Sequence, residues 1–229
     1  MSIMRTDAHT HKIPAAPNRT ALINLSPGEN PGGKTENLFF SCGIHPADCG
    51  RFTMDALRKT LTQVPCSALG ECGLDASIPV DPDFQEKIFR AQIELAEELN
   101  LPLVIHCVRQ YYDLIRIRKE TAAKIPWLIH GFRGKPETGK ALLNAGMILS
   151  LSPVWLMHLP EFPSWLPDHA FLLETDENPV PLETLYTHAA ELRGESVDQL
   201  AILLQDTFGN FLNAKPLHRH EEQESKRIR

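Results

Sequence analysis

The sequence has no CxxC pair, no apolar stretch near bilayer length and fewer basic than acidic residues, and each lack removes a class of function. Five cysteines, Cys42, Cys49, Cys66, Cys72 and Cys107, are an odd number without a CxxC pair, which fits reduced, buried thiols in a cytosolic protein better than a disulfide scaffold. No segment approaches the ~20 consecutive apolar residues of a membrane span, and no long apolar segment follows basic residues at the amino terminus. A soluble, cytoplasmic protein with no membrane partner is expected. Lys and Arg number 23 against 29 Asp and Glu, for a net charge of −6, which argues against broad adsorption to duplex nucleic acid. Basic residues are not interleaved with aromatics, so a short substrate is favoured over a long tracked strand. A local phosphate site is still allowed, and no internal repeat is visible.

What the chain does have is a substantial core: 42% of its 229 residues are hydrophobic, enough for one barrel or two small domains. Strand-like apolar runs fall at 5–9, 20–24, 38–43, 68–70, 103–106, 127–130, 147–150 and 171–174. Several are continuous rather than alternating, as in a sheet covered on both faces. Helical periodicity predicts helices over 54–63, 83–99, 111–121, 136–145, 182–193 and 196–212. The first third differs, because 12–19 holds Pro14 and Pro17, and 26–37 holds Pro27, Gly28, Pro31, Gly32 and Gly33. The first two crossover helices are therefore expected to be reduced to turns.

Four of the apolar runs end in metal-binding residue types: Asp7-Ala8-His9-Thr10-His11, Val104-Ile105-His106, Leu128-Ile129-His130 and Leu173-Glu174-Thr175-Asp176. A fifth, Ala68-Leu69-Gly70-Glu71, ends in a carboxylate. Alternation along a strand sends His9 and His11 to the same face, and the donors converge only if the strands run parallel. Donors at the carboxyl ends of several parallel strands are how a β/α barrel builds an active site. Because the donors run from His9 to Asp176, a single domain over 1–217 is preferred, with 218–229 as a charged, frayed tail.

In this order the blocks Asp7-Ala8-His9-Thr10-His11, Cys42-Gly43-Ile44-His45-Pro46, Ala68-Leu69-Gly70-Glu71-Cys72-Gly73-Leu74-Asp75, Val104-Ile105-His106-Cys107, Ile129-His130-Gly131-Phe132 and Leu173-Glu174-Thr175-Asp176 resemble the TatD family of metal-dependent hydrolases. The resemblance spans nearly the whole chain. It implies a distorted TIM (β/α)8 barrel of the amidohydrolase type that binds two divalent metals and hydrolyses phosphodiester bonds in nucleic acid. It further implies that His9 and His11 hold one metal and His106 and His130 the other. Glu71 would bridge them, and Asp176 would complete the first site and face the attacking water. The chain resembles a short branch, with the first crossover helices and the segment after Asp176 abbreviated at the mouth of the site. Four imidazoles and two carboxylates suit zinc or manganese better than magnesium, yet magnesium is associated with the family, so all three stay open.

Arg109, Arg133 and Lys135 follow the strands ending in His106 and His130, where barrel loops form the rim. Arg109 or Arg133 can grip a phosphate bidentately. His45 and Asp75 are further candidates for the substrate pocket, and Asp7 either orients a ligand or serves as a structural acceptor. The expected activity is that of a deoxyribonuclease or phosphodiesterase acting on nucleic-acid ends or a small phosphodiester, without an obligate protein partner. An ester or amide hydrolase such as a deacylase is the alternative on the same scaffold. A non-catalytic metal-binding protein is a third reading, disfavoured by the bridging carboxylate.

Overall fold

The computed structural model describes residues 3–13, 19–32 and 36–213. Eight strands, β1 (Arg5–Thr10), β2 (Arg19–Leu25), β3 (Leu38–Cys42), β4 (Ala68–Asp75), β5 (Leu103–Val108), β6 (Trp127–Phe132), β7 (Met147–Leu151) and β8 (Phe171–Leu173), form one parallel sheet in sequence order. Helices α1 (Met54–Gln63), α2 (Pro82–Leu99), α3 (Tyr111–Thr121) and α4 (Pro136–Asn144) supply the middle crossovers; α5 (Pro153–Leu156), α6 (Leu182–Arg193) and α7 (Val197–Leu212) complete the chain. Among the described residues no helix separates β1 from β2 or β2 from β3, as the proline and glycine content of those connections predicts. The expected tail at 218–229 lies outside the described residues, as do 14–18 and 33–35 in those connections. No described helix is long and apolar enough to cross a membrane.

Helix α2 shows how sequence becomes packing. Asp81 caps it by accepting from the Phe84 amide, Pro82 opens it, and Asn100 ends it in the left-handed region at φ 52°. Its inner face buries Phe89 and Ile93, and the Phe89 ring meets the edge of Trp127 from β6 at a centroid distance of 5.6 Å. Burial of each such side chain contributes about 2–3 kcal/mol. Ser196 and Gln199 form a reciprocal capping box at the start of α7, as their spacing predicts.

The sheet curls until β8 meets β1, and that seam is narrow. Thr10 bridges to Asp176, and the Asp176 amide donates to the His9 carbonyl at 2.9 Å. Behind it the Thr175 amide and hydroxyl donate to the two oxygens of buried Asp7 at 2.8 and 2.7 Å. Asp7 is thus the structural acceptor of the two roles open to it, and its burial pushes its carboxyl up to about 7 against those two bonds.

Three features depart from the sequence expectations. Strand β4 runs five residues past Gly70 to Asp75, pairing residue by residue with β5 from Cys72 to Asp75. The glycines that suggest a turn instead permit close approach. A Cβ on Gly73 would lie 2.0 Å from the His106 carbonyl oxygen, and one on Gly70 2.3 Å from that of Val104. Glu71 therefore sits inside a strand rather than at its end. The short helix α5 and the three-residue turns at Pro46–Asp48 and Asp168–Ala170 have no counterpart in the periodicity, being too short to generate one.

Candidate metal centre

Six side chains from five strand ends surround one carboxylate. Glu71 is 5% exposed, and its amide is held by Oδ1 of Asn24, which also accepts from Ser41. On its Oε2 side, Nε2 of His9 and of His11 lie 3.6 and 3.5 Å away, and the same two nitrogens lie 3.7 and 3.5 Å from Oδ1 of Asp176. On its Oε1 side, Nε2 of His130 approaches to 2.7 Å and Nδ1 of His106 to 2.9 Å, with 3.2 Å between those two nitrogens. His45 reaches the same oxygen at 3.6 Å from the β3 side.

Two buried carboxylates back the Oε1 half. Nε2 of His106 donates to Oδ2 of Asp75 at 3.0 Å, and Asp75 is itself anchored by the amide and hydroxyl of Ser77. Asp75 thus meets a candidate ligand, on the face of β4 that also carries Glu71. Glu174, fully buried, accepts from the Gly131 amide at 2.6 Å and stands 3.6 Å from Nδ1 of His130. Neither Glu174 nor Asn24 is among the residues expected at the site. Glu174 lies within the Leu173-Glu174-Thr175-Asp176 motif, whereas an asparagine on an apolar strand carries no distinguishing signal.

The donor set fits divalent cations. With the Nε2 proton of His106 directed at Asp75, its Nδ1 lone pair faces a carboxylate and a second imidazole, a cluster of acceptors that requires positive charge between them. Both nitrogens of fully buried His9 lack a hydrogen-bond partner, as do Nδ1 of His130 and Oε2 of Glu174. Donors sharing a tetrahedral cation at about 2.1 Å stand about 3.4 Å apart, close to the 3.5 to 3.7 Å contacts of the Oε2 half. The electrostatics agree. Burial opposes charge on His130, but the carboxylates of Glu71 and Glu174 beside it lift it well above its ordinary range. For Glu71, burial is outweighed by the imidazoles around it, His130 first and then His106 and His11, which hold it well below the usual carboxylate range. Cys72 and Cys107, next in sequence to Glu71 and His106, are kept as thiols by burial, Cys107 with its value pushed up to about 12.

A cavity of about 440 Å³ opens beside the centre over β5, β6 and β7, lined by His106, Arg109, Tyr111, Arg133, Ser152 and Asp176. Arg109 and Arg133 are exposed and have no hydrogen bond or ion pair among the described residues. Every other described arginine has one, from Arg5 with Asp198 to Arg193 with Asp168.

Imidazoles and carboxylates gathered at the carboxyl ends of an eight-stranded parallel β/α barrel define a metal-dependent hydrolase scaffold. The family model described as TatD related DNase matches residues 31–212, and the chain belongs to that family. The match begins after β1, so His9 and His11 lie ahead of it. The chain is 28% identical over 201 residues to an uncharacterized metal-dependent hydrolase, YcfH, of Escherichia coli K12, covering 79% of this chain and 76% of the relative. It is 30% identical over 147 residues to the 3'-5' ssDNA/RNA exonuclease TatD of Escherichia fergusonii, covering 59% and 56%. Among solved structures, the TatD homologue YjjV of Escherichia coli K12 superposes with a TM-score of 0.69 at 22% identity over 85% of this chain and 86% of that one. A TatD-family hydrolase from Entamoeba histolytica gives 0.67 at 13% identity, covering 95% and 100%, and both likenesses establish the distorted TIM barrel. The protein is a TatD-family metal-dependent hydrolase, and its clustered donors are close enough together to hold a metal ion.

Proposed function

We propose that the chain is a deoxyribonuclease or phosphodiesterase that acts on a nucleic-acid end or a small phosphodiester. Two divalent cations, zinc, manganese or magnesium, would be held by His9, His11, Glu71, His106, His130 and Asp176. In this reading His9, His11 and Asp176 with Glu71 would hold the first, and His106 and His130 with Glu71 the second. When bound, such a pair supplies a water nucleophile at neutral pH and neutralises phosphoryl charge. Glu71 fixes the separation of the two halves with one side chain. Asp176 orients the attacking water and accepts its proton. Arg109 and Arg133 grip the phosphate and hold the scissile group in register.

The observation that carries the phosphodiester reading over the ester or amide alternative is the pair of unpartnered guanidinium groups at the cavity beside the donors. An uncharged acyl group offers such a pair only a neutral carbonyl acceptor, whereas a phosphate offers negative charge and enough oxygens to bind both. The exonuclease named among the relatives supports a nucleic-acid substrate. The donors' span from His9 to Asp176 across one sheet supports a single hydrolase domain over 1–217, without an obligate partner. Five free thiols favour a reducing compartment, and a cytoplasmic location belongs to the same proposal.

The test is a panel of single-stranded DNA, dinucleotides and acyl esters, offered to metal-stripped protein reloaded with zinc, manganese or magnesium. Cleavage of the phosphodiesters and not of the esters is expected. The Arg109→Ala, Arg133→Ala double variant should lose about 10- to 100-fold in kcat/KM on them. A double variant as active as wild type on every cleaved substrate overturns the reading.

A further inference from the structure

His45 stands within the donor cluster, grouped with Glu71 and His106 closely enough for all three to share a cation. Its other ring nitrogen argues against that use. Pro46 opens the turn after His45 and has no N–H, so Ala47 presents the first free amide. That amide donates to Nδ1 of His45 at 3.1 Å. A neutral imidazole carries one N–H and one lone pair, so a lone pair on Nδ1 puts the proton on Nε2. A metal bound at Nε2 would force the proton onto Nδ1, directly against the Ala47 N–H, donor upon donor. Nε2 faces the centre with Oε1 of Glu71 at 3.6 Å, too long for a hydrogen bond, and the ring meets that of His106 edge to face at 4.4 Å. An N–H donor is thus aimed into the site with no strong partner.

We propose that His45 is a neutral hydrogen-bond donor to a non-bridging phosphoryl oxygen of the substrate, and not a metal ligand. It reaches that oxygen from the β3 side while Arg109 and Arg133 hold the phosphate from the β5 and β6 side. The role rests on the phosphodiesterase reading above. A donor already oriented by the backbone stabilises developing charge without reorganisation, and a neutral imidazole held by a backbone amide does this without competing with the cations for Glu71.

The experiment compares wild type, His45→Leu and His45→Gln, measuring metal per chain, kcat and KM on a single-stranded DNA oligonucleotide, and the imidazole nitrogen spectrum of the zinc-loaded wild type. Both variants should keep the wild-type metal content. His45→Leu should lose about 100-fold in kcat, and His45→Gln, whose amide keeps an N–H near the same position, should recover part of it. The spectrum should show His45 with its proton on Nε2. Loss of a metal equivalent in both variants, an unimpaired His45→Leu enzyme or a proton on Nδ1 each overturns the proposal. If His45→Leu fails to fold, His45→Gln and the wild-type spectrum decide. Wild type that cleaves esters but no phosphodiester sinks the parent reading and this role with it, a failure distinguishable because it shows before any variant is made.

Discussion

The two halves of the donor ring are built differently around the same carboxylate. The Oε2 half, His9, His11 and Asp176, lies on the barrel seam, with donors 3.5 to 3.7 Å apart. It is held by backbone: the Asp176 amide is tied to the His9 carbonyl, and Asp176 itself sits at φ 50°. The Oε1 half, His106 and His130, lies on interior strands β5 and β6, each with a parallel neighbour on both sides, with contacts of 2.7 to 3.2 Å. It is held by side chains, since Asp75 stands behind one imidazole and Glu174 behind the other. The lesson is that a donor at a closure point can be aimed chiefly through its backbone, with the nearby carboxylate, Asp7, tying the chain rather than the imidazoles, whereas a rotatable imidazole on a continuous sheet has a second carboxylate to fix its ring.

The change that strikes both halves at once should have the largest effect. Glu71→Gln keeps the size of the bridge and removes its charge, so metal content in both halves should fall and turnover should drop by about 10³-fold. Metal analysis beside kinetics checks this; a variant that loses one equivalent and keeps the other would break the symmetry of the comparison. Gly73→Ala strikes the Oε1 half alone. A Cβ there collides with the backbone of β5 in a conformation, φ 137°, that side chains rarely adopt. Destabilisation of about 3 kcal/mol is expected, against about 1 kcal/mol for Gly146→Ala, where φ is 78° and the space is open. Equal denaturant midpoints for the two variants would show that close β4 to β5 approach is not needed.

The contrast also explains what the sequence could disclose. His106 and His130 were visible because each ends an apolar run, and His9 because it forms an HxH with His11, so the residue type and its place in the barrel are written in the same few letters. The weak first crossovers were visible in Pro14, Pro17, Pro27 and Pro31. The extension of β4 was not, because Gly70 and Gly73 serve turns and close strand contacts equally well, and only the neighbouring β5 backbone decides between them. Asp75 is named from the sequence only as a candidate for the substrate pocket, and its place behind His106 was hidden for a related reason. Asp75 lies four residues from Glu71, on the same strand face, a relation with meaning only once the strand is known to continue. The Nδ1 bond of His45 depends on an amide two residues away and leaves no compositional trace.

The smallest effect tests whether the carboxylates behind the Oε1 half are as necessary as their positions suggest. Asp75→Asn keeps an oxygen near His106 but allows the amide to present an N–H to the ring instead, so the Nε2 proton loses its defined partner. Glu174→Gln does the same to His130 and leaves the Gly131 amide with an acceptor. Each should weaken one metal equivalent by about 10- to 100-fold in competition with a chelator, while the equivalent proposed for His9, His11 and Asp176 keeps its affinity. The two changes differ in burial, which sharpens the expectation. Glu174 is fully enclosed, with one oxygen unpartnered, whereas Asp75 is also tied to Ser77 and lies nearer the rim. Glu174→Gln should therefore cost fold stability as well as affinity, and Asp75→Asn affinity alone. If both variants released metal from the seam half first, the aim of His9 and His11 would depend on side chains too, and the division between a backbone-held half and a side-chain-held half would fail.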